Sequence, residues 1–261
     1  MKNFNEIAEE AKKRGIRKIA IAGIPDPELV DALEKAKNKK LAESLIFDDA
    51  TKAALAVRNG EADILMKGHV DTKIFMGAVL DKENGLRSGK LISHIAVIEA
   101  FGRLVLITDG GICLQPTRKE KVEIIKNALP VARALGIEIP KVAILAAVEK
   151  VNPKMPETVD ADEIAKAGVP GCLVQGPLAV DNAVSLDAAR AKGISGPVAG
   201  QADILLVPSV LVGNIFAKGI MYFSQCAYGG IVAGTSHPVA FLSRSDAMDI
   251  KFNTITLSCL V

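Results

Sequence analysis

EADILMKGHVDTKIFMGAVL, residues 61–80, and QADILLVPSVLVGNIFAKGI, residues 201–220, decide how this chain is read. Each has a polar lead-in, the same four residues Ala-Asp-Ile-Leu, a short apolar run, a loop, and then Ile-Phe on a helical pattern. An apolar run of strand length, a loop and an amphipathic stretch together form a strand–loop–helix unit. Such units in series build an α/β fold on a mostly parallel sheet. Four shared residues do not make a repeat, but they mark two units of one kind.

Working outward, the same alternation covers the chain. KIAIAG (18–23) and SLIF (44–47) are strands. PDPELVDALEKAKNKK is a helix opened by prolines and acids, and DDATKAALAVRNGEA is a helix that starts at Asp48 or Asp49 and stops at Asn59-Gly60. ISHIAVIEA and RLVLITD, joined by Phe101-Gly102, read as a hairpin. A helix with an internal Pro130 follows, then the buried strand KVAILAAVE and a helix for which Asp160 is a plausible cap. After the second Ala-Asp-Ile-Leu unit, GGIVAG and PVAFL read as short strands, and a last helix starts at about Asp246.

Composition narrows the function classes. The 261 residues are 49% hydrophobic and lack Trp, so Ala, Val, Ile and Leu must fill the core, as buried parallel strands require. A net charge of +2, with Lys and Arg scattered among acids, argues against a nucleic-acid surface. Cys113, Cys172, Cys226 and Cys259 contain no CxxC pair, so free buried thiols in a reducing cytoplasm are expected rather than a zinc site or disulfides. No apolar run reaches membrane-spanning length and the N-terminus lacks a signal-peptide core, so a soluble cytoplasmic protein is expected. His69, His94 and His237 lie far apart in sequence, and no metal site is expected. GxGxxG, GxxxxGK[ST] and HExxH are absent.

Ligands of parallel sheets bind beyond the carboxyl ends of strands, so the residues after each strand are the candidates. Lys67, Gly68 and Thr72 follow the first unit and suit an anion at a helix N-terminus; a helix cap at Asp71 or Thr72 is the alternative. Gly213 and Asn214 follow the second unit and permit close backbone approach. Arg87 and Lys90 sit in a Gly-rich loop, either solvated or facing a phosphate-rich ligand. Thr235 and Ser236 form a hydroxyl pair on a turn. Ser243-Arg244 follows PVAFL directly: the arginine can hold phosphate, and the serine can donate to a developing oxyanion. Asp246 and Asp249 are near enough in sequence for either to act as a base.

At SRSD the chain resembles the phosphate acetyl/butyryltransferase family, closest to its butyryl branch. The resemblance rests on ADILMKGHVDT, NGLRSGKLISHIAV, LITDGG, VEKVNPKMPETVDA, QGPLAVDNAVS, KGISGPVAGQADILLVPSVLVGNIFAK, GGIVAGTSHPVAFLSRSD and NTITL, in order from about residue 52 onward. It implies two α/β domains with mostly parallel sheets, like isocitrate and isopropylmalate dehydrogenases, with the active site in the interdomain cleft. The first domain would be 1–112 with 236–261 and the second 113–235, each holding one Ala-Asp-Ile-Leu strand. The implied reaction is acyl-CoA plus phosphate giving acyl phosphate plus CoA, without a metal or a covalently bound cofactor, by a homodimer or higher homo-oligomer.

Carried over by residue, Ser243 would be the oxyanion donor and Arg244 the phosphate ligand. Asp246 and Asp249 would be the candidate bases, with Gly213, Asn214, Thr235 and Ser236 on the phosphate and acyl side. Relatives often carry an arginine where FMGAVL has Gly77, and the butyryl enzymes carry a further strand and helix near 47–51. A dehydrogenase of the same fold, or an anion-binding remnant of weak activity, are the alternatives.

Overall fold

The computed structural model describes residues 1–241, 243 and 245–261. In chain order the elements are α1 (Phe4–Lys13), β1 (Arg17–Ala22), α2 (Pro27–Asn38), β2 (Ala42–Phe47), α3 (Ala50–Arg58), β3 (Ile64–Lys67), α4 (Thr72–Leu80), β4 (Ser93–Ala100), β5 (Arg103–Thr108) and α5 (Arg118–Ala134). They continue with β6 (Lys141–Leu145), α6 (Pro156–Ala167), β7 (Leu173–Leu178), α7 (Val180–Val184), α8 (Leu186–Ala191), β8 (Ile204–Leu206), α9 (Val210–Ser224), β9 (Tyr228–Ala233), β10 (Val239–Ala240) and α10 (Met248–Leu260). The α/β class expected from the alternation is the class observed.

The chain divides into two compact units, residues 1–90 with 227–261, and residues 91–226. These units divide at other points than the expected domains: the β4–β5 hairpin falls in the second unit, and β9 in the first. In the first unit the strand order is β2-β1-β3-β10-β9. Neighbours are parallel except β9, which runs antiparallel to β10. In the second unit the order is β4-β5-β8-β6-β7, and only β4 is antiparallel to its neighbour.

Local chemistry explains the element ends. Asp26 accepts the Leu29 N–H and Asp49 accepts those of Thr51 and Lys52, so both helices start at carboxylate caps. Thr117 and Glu120 form a capping box for α5. Pro130 does not end α5, whose buried Ile124, Ile125, Ala128 and Ala132 keep it seated. Asp160 does not cap α6: the helix starts at Pro156, and Asp160 pairs from its interior with the buried Lys121 at 2.7 Å. Proline is preorganised for a first helical turn, which is the signal the acid obscured. The strand read as KVAILAAVE contracts to Lys141–Leu145, and the one read in PVAFL is Val239–Ala240 among the described residues. The last helix starts at Met248, so Asp246 lies before it and is not its cap.

The four cysteines are free thiols, and of these only Cys259 is fully buried. Among the described residues no helix is long and apolar enough to cross a membrane.

Candidate functional site

In the first unit β1, β3 and β10 are parallel, with Ala22 beside Lys67 and Ala240 beside Met66. Their carboxyl ends therefore share one sheet edge. Gly23, Gly68 and Phe241 emerge there. Lys67, the last residue of β3, is 4% exposed. Gly68 is required by packing: an added Cβ would lie 2.7 Å from the Gly23 carbonyl oxygen and 2.9 Å from that of Ala22. The helix that follows is capped by Asp71 rather than Thr72. Its carboxylate accepts the N–H groups of Lys73 (2.8 Å) and Ile74 (3.4 Å), while Thr72 is the exposed first residue of α4.

Ser243 stands at the same edge, beyond β10. Its backbone N–H donates to Asp246 Oδ2 at 2.8 Å, and the Asp246 N–H returns to the Ser243 carbonyl at 3.2 Å. The Ser243 and Ser245 hydroxyls are 2.9 Å apart. The two hydrogen bonds between Ser243 and Asp246 thus place one candidate base beside the candidate oxyanion donor. Asp246 Oδ1 accepts the phenol O–H of Tyr228 at 2.9 Å. The other candidate base does not join them: Asp249 is in the first turn of α10 and pairs with Lys35 of α2 at 2.8 Å. Arg244 lies outside the described residues.

Arg87, Thr235 and Ser236 form a second group. Arg87 makes an isolated antiparallel bridge with Thr235, the Ser236 N–H donates to the Leu86 carbonyl at 2.9 Å, and Ser88 Oγ donates to the Gly234 carbonyl at 2.6 Å. The 86–88 and 234–236 loops, far apart in sequence, are thereby zipped together. Thr235 Oγ1 is spent on the His237 carbonyl at 2.8 Å. This group sits in the connection that precedes β10, whereas Ser243 follows it. Thr235 and Ser236 are therefore at the amino end of the strand and Ser243 is at its carboxyl end.

Gly213 and Asn214 belong to the second unit, in the first turns of α9 after β8. Gly213 is buried, and an added Cβ would lie 2.6 Å from Val207 Cγ2 and 2.8 Å from the Asp109 carbonyl oxygen. Asn214 Nδ2 donates to the Gly110 carbonyl at 3.1 Å. Both residues lock α9 to the loop after β5. That loop is organised by Asp109, which sequence reasoning did not single out. Only 2% exposed, its carboxylate accepts the N–H groups of His94 (2.9 Å), Gly111 (2.7 Å), Ile112 (2.8 Å) and Cys113 (3.2 Å). An Asp followed by two glycines after a strand was the available signal. Burial, aided by the Asp109 carboxylate, pushes the Cys113 thiol up to about 12, so it is no nucleophile at neutral pH. Tyr228, one of two tyrosines in the chain, was also missed; only register reveals it.

Comparison with known proteins gives this geometry its family. Residues 4–259 match the family model described as Phosphate acetyl/butaryl transferase. The phosphate butyryltransferase of Clostridium acetobutylicum is 40% identical over an alignment of 296 residues that covers 100% of this chain and 98% of the relative. That span exceeds the 261 residues here, so the relative carries segments this chain lacks. The phosphate acetyltransferase of Thermotoga maritima is 35% identical over 98% of this chain and 99% of its own length. Among solved structures, a branched-chain phosphotransacylase from Enterococcus faecalis V583 superimposes with a TM-score of 0.85 at 33% identity, over 94% of this chain and 99% of that one. With the match spanning both compact units, the chain belongs to the phosphate acetyl/butyryl transferase family.

Proposed function

We propose that the chain moves a short acyl group, butyryl or similar, between CoA and inorganic phosphate: acyl-CoA + phosphate = acyl phosphate + CoA. The observation that carries this reading is the hydrogen-bonded Ser243–Asp246 pair at the carboxyl edge of β3 and β10, in a chain that matches the family almost end to end. In the direction of acyl-CoA formation, the Asp246 carboxylate takes the CoA thiol proton, and the thiolate attacks the acyl phosphate carbonyl. Ser243 donates to the tetrahedral oxyanion. Collapse expels phosphate, which takes the proton back. Arg244 holds the phosphoryl group. Asp246 is preferred to Asp249 because it touches Ser243, while Asp249 is committed to Lys35.

Among the described residues each Asp246 oxygen accepts one hydrogen bond, and a carboxylate offers about four acceptor directions in all, which leaves room for the thiol proton. Lys67 and Gly68 line the same edge on the anion side. Asn214, with Gly213 behind it, serves the acyl side. Arg87, Thr235 and Ser236 stand at the other end of β10, where Arg87 takes the CoA phosphates and the two hydroxyl residues an outlying part on the phosphate and acyl side. The two-domain arrangement like isocitrate and isopropylmalate dehydrogenases, a cytoplasmic location, and a homodimer or higher homo-oligomer complete the proposal. An apolar stripe along α9 supports the assembly: Leu211 and Ile215, each 66% exposed, and Phe223, 94% exposed.

The test is phosphate-dependent release of free thiol from acetyl-, butyryl- and isobutyryl-CoA, with Arg244→Ala beside the wild type. Release from at least one thioester, lost in the variant, is expected. Release from none by folded protein overturns the reading.

A further inference from the structure

Tyr228 enters through sheet register rather than through any motif. β9 and β10 are antiparallel, with Val232 opposite Val239 and Ile231 opposite Ala240. The pairing continues past the strand: the Phe241 N–H reaches the Gly230 carbonyl at 3.4 Å. Tyr228, the first residue of β9, therefore lies towards the carboxyl end of β10. Its phenol O–H closes on Asp246 Oδ1 at 2.9 Å. The other carboxylate oxygen holds the Ser243 N–H at 2.8 Å. A carboxylate gripped at both oxygens has its plane and rotamer fixed. Removing either donor frees it to turn about its side-chain torsions. The half-buried position of Tyr228 and its place on a paired strand make it the rigid member of the three.

We infer that Tyr228 is a positioning residue for the acyl-transfer reaction: its phenol O–H aims the Asp246 carboxylate, and through Asp246 it holds Ser243. The inference rests on the proposed function and deepens it. Tyr228 touches neither CoA nor phosphate in this scheme, so its removal acts on the chemical step and leaves substrate binding in place. Proton transfer and oxyanion stabilisation both fail steeply with small misplacements of the acting groups.

The experiment is a double-mutant cycle on the thiol-release assay, with Tyr228→Phe, Asp246→Asn and the double variant, each also followed by thermal unfolding. Phenylalanine keeps the ring and removes only the O–H. Tyr228→Phe is expected to lower kcat by about tenfold or more, with KM for phosphate and for acyl-CoA within about threefold of wild type, as for a group acting only in the transition state. In the Asp246→Asn background the same change should cost less than about twofold, because residues acting as a unit are not additive. Equal losses in both backgrounds, a Tyr228→Phe enzyme within twofold of wild type, or a loss of activity that tracks loss of folded protein would each overturn the inference while leaving the transferase reading intact. A folded wild type that releases no thiol fails the functional reading, and this inference with it.

Discussion

The Asp249 carboxylate lies 2.8 Å from the Lys35 ammonium of α2, and that ammonium in turn sits 4.5 Å over the Phe252 ring. This pair separates two aspartates that the sequence leaves equivalent. Asp246, three residues earlier, is folded back on Ser243 and Tyr228. Asp246→Asn should lower kcat by about 10²- to 10⁴-fold, the usual contribution of a positioned base. Asp249, with a side chain 72% exposed, belongs to a surface pair of the kind that contributes little, so Asp249→Asn should stay within about threefold of wild type. Steady-state rates of the two variants decide the assignment. A larger loss in Asp249→Asn would reverse it.

A second ion pair in the same unit is buried and should behave differently. Lys251 of α10 is 1% exposed and reaches Asp26 Oδ1 at 2.6 Å, while Asp26 also caps α2. Burial pushes the Asp26 carboxyl up, but the Lys251 ammonium, the Leu29 N–H and nearby His69 outweigh it and hold the group below its usual 3.8. A lowered folded value means that the stability from this group is complete above the unfolded value and lost as pH falls through the folded one. Asp26→Asn should therefore destabilise at neutral pH by up to about 3 kcal/mol, because it leaves a buried ammonium unpaired. The gap from wild type should close as pH drops below 3.8. Adding Lys251→Met should recover most of the loss, since an apolar replacement removes the stranded charge. Denaturant midpoints at neutral and acidic pH measure all three.

How much of this was legible beforehand depends on the range of the interaction. Helix starts governed by neighbours three residues away, at Asp26 and Asp49, follow from the sequence. So does the alternation of apolar runs that gives the α/β class. At α6 two local signals compete, and the proline at the first helical position wins over Asp160. Contacts set by register are not legible: Tyr228 against Asp246, Arg87 against Thr235, and Lys251 against Asp26 join segments 18, 148 and 225 residues apart. Gly213 was read as making room for a ligand. In the fold the space it leaves is filled by Val207 and the Asp109 carbonyl.

That packing makes Gly213 a test of the second unit. Alanine there would place a methyl group 2.6 Å from Val207 Cγ2 and 2.8 Å from a backbone oxygen that cannot rotate away. Overpacking of this kind costs about 1–3 kcal/mol. Gly213→Ala should lower the unfolding temperature by several degrees, roughly 2–4 °C per kcal/mol for a chain of this size. Gly77→Ala on α4, where nothing lies within 4 Å of the added Cβ, is the matched control and should hold or raise stability. Equal unfolding temperatures for Gly213→Ala and wild type would mean that α9 and the 109–110 loop are not closely joined.

The apolar face of α9 makes the last prediction. Fifteen residues give a helix about 22 Å long. Of these only Gly213 and Ala217 are buried, although the helix is rich in Leu, Ile, Val and Phe. Leu114, 74% exposed, extends the patch at the amino end, where its carbonyl accepts the Val210 N–H at 3.1 Å. A helix with apolar residues on its outward side is costly in water, and contiguous exposed patches of this kind mark association sites. One helix face supplies only part of the roughly 800 Å² that each partner of a stable dimer buries, so flanking residues such as Leu114 must join it. Light scattering should find the wild type as a homodimer or larger at micromolar concentration. Ile215→Glu with Phe223→Glu should shift it to monomer, because each introduced carboxylate would have to be desolvated at the contact. A wild type that is monomeric across that range removes α9 as a self-association surface. A double variant that stays dimeric places the contact elsewhere.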